Sequence, residues 1–542
     1  MCLLFYSSIN SQQISLKITS NKEQEALILD KIKYQQKHKD SVSLNTEIIK
    51  ISNYLKNIGY FTNTVYKIEK ENKKHIAFFA LNNKIENAII KINTASKIYF
   101  KNKKIKKNTI SIPIKNLQTT LSNISEILSK QGRSFSTVQL KNVVIKNKTL
   151  FSDLFINKSE KRSIDSVVVK GYERISKSYL KHYFNIKSNT IINQQKIKEI
   201  SKASINLPFI KEIKPPEILF TKDSTFLYLY LNKKQNNSFE GIIGFASKEN
   251  GAVLFNGNID LSLNNILDKG EKIELFWNSI GEEKQEFKLS SAIPYILNTK
   301  FSPQLTFSIY KQDSTFLSTK FDSKLFYDIN PKTKFAFTYN YETSESLKSN
   351  LPNNIDTFKN YFIGFQFQYR IPKNDFFLNN KFHLEINPTF GQRTNKNKAL
   401  KQFKIETSLS YIWDLNLRSS ISIKNKIGYL NSDYFINNEL FRIGGPNTIR
   451  GFNEQSILAN NYKYFNLEFR YLTSKKNYFY TITDIGSIEV NSKDKSMLGL
   501  GLGYFFTSNK SQINISTSLA YTKEQQTDLK NIKLNIIWKN LF

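Results

Sequence analysis

Alternation of hydrophobic and polar residues dominates the second half of the chain. In the segment YFIGFQFQYR, apolar Ile363, Phe365 and Phe367 occupy every second position and alternate with glycine and glutamine. A strand with this period of two presents one apolar and one polar face. The same pattern recurs in many long segments, separated by turns rich in lysine, asparagine and serine. It predicts an all-β domain at residues 238–542 whose sheet has a different environment on each side.

Two features favour a membrane barrel over a soluble β-sandwich for this domain. The alternating segments often reach ten residues or more, and aromatic side chains crowd their apolar faces, as in FKIETSLSYIW from Phe403 to Trp413. At ~19 residues per strand and turn, the roughly 305 residues predict on the order of 16 antiparallel strands. No stretch approaches the ~18 consecutive apolar residues of a membrane-spanning helix, so none is predicted.

The first half of the chain mixes helical and strand patterns in repeats of about 75 residues. The clearest repeat has a strand, two helices and two strands, in the order β-α-α-β-β. Two earlier helical segments, which end at Gly59 and Gly132, are each followed by strand patterns. We therefore expect three α+β modules, at residues 13–85, 86–158 and 159–233, followed by the polar linker KKQNNS.

Composition narrows the range of functions. Residues 1–12 contain a short apolar run without a preceding basic region, and they look like the remnant of a secretory signal peptide or an ordinary N-terminal segment. The sequence has one cysteine, Cys2, and four histidines, none paired at metal-ligand spacing. We expect no metal site and no cofactor, and scarce cysteine suits an oxidising compartment.

The charge excess does not identify a nucleic-acid binder. Lysine and arginine outnumber aspartate and glutamate by 34, but this excess is spread along the chain and no basic block dominates. The motifs GxSxG and HExxH are missing from the sequence, and four histidines give no plausible catalytic triad. We therefore expect neither an enzyme nor a nucleic-acid partner.

One segment in the predicted barrel, IGGPNTIRGF, gathers turn-forming residues around a single arginine. Gly444, Gly445 and Gly451 allow tight turns and close approach to other backbone, and Phe452 follows directly. In an exposed loop, Arg450 would simply be solvated. Inside a barrel it would need carboxylates, because a buried guanidinium without paired oxygens is costly.

The modules, the barrel and this loop together resemble the BamA and TamA family of outer-membrane assembly and translocation proteins. Periplasmic modules of that family are called POTRA domains, and the barrel is of the surface-antigen type. Three modules and this chain length resemble TamA more than the longer BamA. The resemblance implies a bacterial outer-membrane location, periplasmic modules and contact with the lipid bilayer. It also implies unfolded outer-membrane or secreted client proteins, with a TamB-type protein as a candidate partner.

The resemblance also assigns roles to particular residues. In this family the arginine loop folds into the barrel lumen and is anchored by acidic residues on nearby strands. The matching positions are Glu468 in YFNLEFRYL and Asp484 in ITDIGS, although Ile482 stands where the family has an aromatic residue. The C-terminal strand NIKLNIIWKNLF, with Trp538 and Phe542 on its apolar face, resembles the signal that barrel-assembly machinery recognises.

Two functions follow from this resemblance. The leading hypothesis is an assembly or translocation factor that receives unfolded clients through its POTRA modules and inserts or translocates them through the barrel. In this hypothesis the seam between the first strand, near Phe239, and the last strand opens. The alternative is a polypeptide pore of the two-partner-secretion type for one dedicated substrate. Such transporters usually carry two modules and a plug helix, so three modules favour the first hypothesis.

Overall fold

The structure is a computed structural model, and it describes most of the chain. The described residues are 13–100, 105–247, 253–280, 284–348, 354–373, 375, 377, 379–396, 398–490, 493–508, 510–522 and 531–542. For residues 242–247, 253–256 and 280 only the backbone is described. The expected signal remnant at residues 1–12 lies outside these ranges. The chain divides into two compact units, Met1–Ser163 with Ile191–Gln195 and Ile164–Thr190 with Lys196–Phe542.

The described part of the first unit begins with an α+β module. Its elements are β1 (Ile14–Thr19), α1 (Glu23–Leu29), β2 (Lys37–His38), α2 (Ser41–Asn57), β3 (Thr64–Glu71) and β4 (Lys74–Ala80). The sheet order is β2-β1-β4-β3, with β1 parallel to β4. Asp40 caps α2, since its carboxylate accepts a 2.7 Å hydrogen bond from the Ser43 backbone N–H. Leu44, Ile51 and Leu55 lie on the buried face of α2 and pack in the module core.

A second module follows in the same unit. Its elements are β5 (Asn87–Lys91), a 3-10 helix (Thr94–Phe100), β6 (Thr109–Pro113), a 3-10 turn (Ile114–Asn116), α3 (Leu117–Lys130), β7 (Thr137–Lys146) and β8 (Thr149–Asn157). The sheet order is β6-β5-β8-β7. A 3-10 helix and the short β6 occupy the place where the repeat pattern expects its first α-helix. The module therefore follows the β-α-α-β-β order only approximately.

The third module has the full β-α-α-β-β order. Its elements are β9 (Ser166–Gly171), α4 (Lys177–Tyr183), α5 (Gln194–Ile205), β10 (Ile210–Phe220) and β11 (Thr225–Lys233). The sheet order is β10-β11-β9, and β9 runs parallel to β11. The α+β character of the N-terminal half is thus confirmed.

Sixteen of the described strands close into one antiparallel barrel, which confirms the predicted fold class. In the first half of the ring they are β12 (Ser238–Ser247), β13 (Val253–Asn264), β14 (Lys272–Ile280), β15 (Lys284–Ala292), β16 (Phe301–Gln312), β17 (Phe316–Asn330), β18 (Thr333–Ser346) and β19 (Phe358–Pro372). In the second half they are β20 (Asn380–Asn395), β21 (Lys398–Asp414), β22 (Ser419–Asn431), β25 (Asn461–Ser474), β26 (Asn477–Val490), β27 (Lys493–Ser508), β28 (Ser511–Thr522) and β29 (Lys533–Leu541). A short hairpin of β23 (Phe441–Ile443) and β24 (Ile457–Ala459) forms a separate sheet between β22 and β25.

The barrel presents its apolar side chains outward. Phe365 and Trp413 are exposed on the outer surface, whereas Gln366, next to Phe365, is buried on the inner side. Because successive side chains of a strand point to opposite faces of the sheet, alternation in the sequence gives an apolar exterior and a polar lumen. Among the described residues, no helix is long and apolar enough to cross a membrane.

The first and last barrel strands make a short seam. The pairs Ser238↔Leu541 and Phe239↔Asn540 are the register partners that the described residues of β12 and β29 form. By contrast, β12 pairs with β13 through ten residue pairs, and β28 pairs with β29 through eight. In the described residues of β12 and β29, most of the backbone edge along the seam therefore carries no pairing between these two strands.

The third module lies against turns at one end of the barrel. Tyr172 donates a hydrogen bond to Asp268 in the turn between β13 and β14, and accepts a 2.8 Å bond from Asn265 Nδ2. Tyr179 of α4 packs on Tyr295, with ring centroids 5.5 Å apart. Burial raises the pKa of Tyr179 well above its usual value, so this phenol stays neutral in the contact. The junction identifies this end of the barrel as the end that carries the modules.

Candidate functional site

The candidate site is built around the long segment between β22 and β25, residues 432–460, which we call the lumenal loop. Its β23–β24 hairpin ends in a tight turn with positive φ at Gly444 (104°) and Gly445 (95°). Two backbone hydrogen bonds close the turn, from Gly445 N–H to Ile449 O (3.1 Å) and from Thr448 N–H to Gly445 O (3.1 Å). L-residues with side chains rarely adopt such φ values, so glycine at these positions makes the turn possible. The turn places Arg450 directly after it.

Glycines let the loop lie directly on the inner wall. Gly451 has a φ of 95°, and a Cβ at this position would collide with the backbone of Leu519 and Ala520 on β28. On β27, a Cβ at Gly499 would collide with the carbonyl oxygen of Arg450. On β26, Gly486 leaves space for the Ile449 side chain. The backbone of the loop therefore contacts the wall at van der Waals distance.

Arg450 is held by two carboxylates on neighbouring strands. Its Nε and Nη2 donate to Oδ2 and Oδ1 of Asp484, at 2.8 and 2.6 Å, which is a bidentate pairing. Its Nη1 donates to Glu468 Oε1 at 2.5 Å. The backbone N–H of Arg450 also donates to Asp484 Oδ2, at 2.8 Å. Asp484 thus fixes both the side chain and the backbone of the loop tip.

A second arginine completes the cluster. Arg470, two residues after Glu468 on β25, donates from Nε to Glu468 Oε2 at 2.9 Å, and its Nη2 lies 2.7 Å from the same oxygen. The two guanidiniums and the two carboxylates carry equal and opposite charge. Such balance matters because Asp484 is fully buried and Arg450 is 8% exposed, and buried charges are tolerated when they are paired and hydrogen-bonded. We call these four residues the arginine clasp.

An apolar patch beside the arginine clasp holds the rest of the hairpin. Ile443 and Ile449 of the loop are buried against side chains of the inner wall. The buried members of the patch are Ile443, Ile449, Ala459, Tyr464, Ile488 and Met497, with Phe452 packed against it. The loop therefore has both an ionic and a hydrophobic attachment to the wall formed by β25, β26 and β27.

The structure brings Arg450, Glu468 and Asp484 together as direct contacts. Trp538 lies elsewhere, exposed on the outward apolar face of β29, and Phe542, directly after the end of β29, is also exposed. Nothing in the structure bears on the role of these two as an assembly signal, which stays a prediction. Among the described residues, no group of three or more His, Cys, Asp or Glu side chains could hold a metal ion.

Two residues of the site were not assigned by sequence reasoning. Arg470 shares a strand face with Glu468, and this two-residue spacing was a usable signal for an ion pair. In NYFYTITDIGS, Tyr480 and Ile482 stand on the same strand face as Asp484, so the sequence of this strand has no clean alternation of apolar and polar residues. In the structure Tyr480 points inward, packs over Gly503 and donates a 2.8 Å hydrogen bond to Asn514 Oδ1. The strand therefore keeps its alternation, with a tyrosine on its inner face.

The two carboxylates are expected to contribute unequally and to act with Arg450 as one unit. Asp484→Ala removes three hydrogen bonds to Arg450, whereas Glu468→Ala removes one and also frees Arg470. In a complementation assay we expect Asp484→Ala to be the more severe variant. Combined with Arg450→Ala, either substitution should add little, because groups in contact are not additive. Additive losses would show that the three side chains act independently.

Comparisons with known proteins show which family and which solved structures this chain is similar to. Residues 304–506 match the family described as haemolysin secretion/activation protein ShlB/FhaC/HecB, and this range contains the whole arginine clasp. CdiB from Acinetobacter baumannii is similar in structure, with 13% identity, a TM-score of 0.53 and coverage of 93% of this chain and 98% of that chain. CdiB from Escherichia coli has 13% identity, a TM-score of 0.52 and coverage of 91% and 98%.

A BamA structure is also similar to this chain. BamA from Haemophilus ducreyi lacking POTRA domains 1–3 has 12% identity, a TM-score of 0.46 and coverage of 79% of this chain and 93% of that chain. No curated protein sequence matches the chain. At these identities the CdiB structures show a shared fold, and the family match covers the part of the barrel that contains the lumenal loop.

Proposed function

We propose that the protein moves polypeptides into or across the bacterial outer membrane. Its three N-terminal modules would receive unfolded clients in the periplasm, and the barrel would insert or translocate them. The observation that carries the proposal is a glycine-rich loop clamped inside a closed sixteen-strand barrel by the arginine clasp. A loop that occupies the lumen and is fixed at one wall can control passage through the barrel.

Sheet edges in the modules support the receiving role. In the second module, β7 is a ten-residue edge strand, and Val143, Val144 and Ile145 on it are exposed. An exposed strand edge has free backbone N–H and C=O groups, which pair readily with another extended chain. An unfolded client would add to this edge as an extra strand.

The short seam supports opening of the barrel wall. Only two residue pairs join β12 to β29 in the described structure, so little backbone pairing opposes their separation. The last strand at the seam is also short, with nine residues in β29 against seventeen in β21. Nine residues in a strand tilted by ~40° span about 23 Å, less than the ~30 Å of a typical hydrocarbon core. The bilayer would be thinned beside the seam, which lowers the barrier to client insertion.

The proposal includes no covalent step and no enzymatic activity. A client strand in lipid leaves its backbone groups unsatisfied until they pair within a closed barrel. Folding of the client itself can therefore supply the free energy of insertion. The resemblance to TamA and a TamB-type partner belong to this proposal and rest on the number of modules and the chain length alone.

A dedicated secretion pore is the second candidate. It is favoured by the match of residues 304–506 to a haemolysin secretion/activation family. In this case one exported substrate would pass through the lumen after the loop moves, and the seam would stay closed. The three modules favour the first candidate, whereas the family match favours the second.

Depletion of the protein distinguishes the two candidates. After controlled depletion, the outer-membrane proteome and the secreted proteins are quantified together. A broad loss of other barrels is expected for an insertion factor, and the loss of one secreted substrate is expected for a dedicated pore. Unchanged levels in both fractions would contradict the proposed function.

A further inference from the structure

A second buried arginine holds the beginning of the lumenal loop. Residues Tyr434–Glu439, which we call the stem, precede the β23–β24 hairpin. Arg393, near the end of β20, forms an ion pair with Glu439 of the stem, and its Nη2 donates to Tyr434 O at 2.8 Å. Arg393 is 1% exposed, and the Glu439 side chain is 2% exposed. Gln402 on β21 donates a further 3.0 Å hydrogen bond to Glu439 Oε2.

The hydrogen bonds of Arg393 show what this residue does. Among the described residues, its guanidinium donates hydrogen bonds to Glu439 and Tyr434, both in the stem, and to no residue of a barrel strand. Its guanidinium also lies over the Tyr434 ring, 5.8 Å from the centroid. Removing this side chain would therefore weaken the attachment of the stem without breaking a hydrogen bond of the barrel ladder.

Neighbouring polar contacts seat the stem on the barrel rim. Asn438 Nδ2 donates to Ser344 Oγ on β18 and to Asp356 O, both at 2.8 Å. Asn354 Nδ2 donates to Phe435 O at 2.7 Å. These groups come from β18 and from the connection between β18 and β19. The stem is thus bonded to the rim on several adjacent strands.

The hairpin that follows the stem reaches the opposite wall. The Arg442 guanidinium lies 4.2 Å from the ring centroid of Tyr310 on β16, and Gln455 Nε2 donates to Glu286 on β15 at 3.0 Å. Arg450 is fixed to β25 and β26. In the ring order, β15 and β25 are eight strands apart among sixteen, so they face each other across the lumen. The loop therefore spans the barrel from wall to wall.

We propose that Arg393 is a second positioning residue, which holds the stem through Glu439 and, with the arginine clasp, keeps the lumenal loop across the channel. The two attachments place their charges in opposite ways. At the stem the barrel wall supplies the arginine, whereas at the tip the wall supplies the carboxylates. Loss of one partner leaves a buried charge without compensation, which favours release of the loop. Loss of both partners leaves no such charge, so the double variant is expected to disturb loop closure less than either single variant.

The test measures channel closure in purified full-length protein. Arg393→Gln, Glu439→Gln and the double variant are reconstituted in planar bilayers, and external protease is used to probe cleavage of the loop. Each single variant is expected to spend about tenfold more time open and to become cleavable in the stem. The double variant should be closer to wild type than either single variant, and the exchange Arg393→Glu with Glu439→Arg should restore closure.

A matched control lies at the same rim. Lys396 is 3.4 Å from Asp356, but its side chain is 81% exposed, so Lys396→Gln should leave conductance and protection unchanged. Migration of unheated protein on gels reports whether each barrel has folded. If Arg393→Gln fails to fold, Glu439→Gln removes the same ion pair from the loop side.

The proposal would be overturned if the folded single variants had the conductance and the protease resistance of wild type. A double variant that is open for more time than either single variant would overturn it as well. The biological use of loop closure rests on the proposed function, whereas the attachment of the stem by Arg393 does not. Conductance is measured without a client. If the single variants fail to close but depletion of the protein leaves the outer-membrane and secreted proteomes unchanged, Arg393 remains a positioning residue and the proposed function is contradicted instead.

Discussion

Arg450→Ala is expected to abolish complementation of a depleted strain while the barrel still folds. The substitution removes all three side-chain hydrogen bonds to Asp484 and Glu468. It leaves the buried Asp484 carboxylate without a charged partner, with the backbone N–H at position 450 as its remaining donor from the loop, and breaking a buried ion pair costs about 3–5 kcal/mol. Within the described part of the chain, the ion pairs that join the loop tip to this wall are those of Arg450 with Glu468 and Asp484, so their loss mainly destabilises the docked state of the loop. The sixteen-strand ladder does not depend on Arg450 and should persist.

Controls separate the docking of the loop from folding of the barrel. Arg418→Ala changes an exposed arginine in the turn before β22 and should retain full activity. Arg450→Lys keeps the positive charge but loses the planar guanidinium that makes the bidentate pairing with Asp484. Its activity in the complementation assay should lie between those of wild type and Arg450→Ala. Gel mobility of unheated samples checks folding, and growth after depletion checks function. Normal growth with Arg450→Ala would remove the arginine clasp from the mechanism.

A disulfide that joins the first and last barrel strands is expected to stop insertion of client barrels completely and reversibly. Phe239 and Asn540 are register partners on β12 and β29. Opposed residues in an antiparallel pair lie about 4.5–5.5 Å apart at Cα, which suits a disulfide. In a Cys2→Ser background, Phe239→Cys with Asn540→Cys should therefore cross-link the first and last strands under oxidising conditions. Activity should disappear on oxidation and return after addition of a reductant.

A second disulfide within the barrel controls for the chemistry of cross-linking. Phe321 and Tyr341 are register partners on β17 and β18, and both are exposed on the outer surface. Cysteines at these two positions join strands that are already fully paired, so the oxidised protein should remain active. Full activity of the oxidised seam variant would contradict opening of the wall. It would favour the dedicated pore, in which the substrate passes through the lumen.

The sequence determined the barrel because the direction of a side chain in a strand is a local property. Alternation around Phe365 and Trp413 was enough to predict an apolar exterior, and strand and turn lengths gave the number of strands. In YFNLEFRYL, Glu468 stands between apolar Leu467 and Phe469, so alternation also puts Glu468 on the polar face of its strand. The resemblance added the pairing with Arg450, which alternation alone cannot give because the two residues lie on different elements.

Only the tertiary structure decided which distant groups meet. Arg393 and Glu439 are 46 residues apart, and no local spacing links a residue of β20 to the stem of the lumenal loop. The inward position of the Tyr480 ring depends on Gly503, its register partner on the next strand, which leaves space for the ring. The short seam likewise depends on how β12 and β29 meet after closure of the whole ring. Local periodicity sets the faces of each strand, whereas contacts between remote segments depend on the barrel register and on the path of the loop.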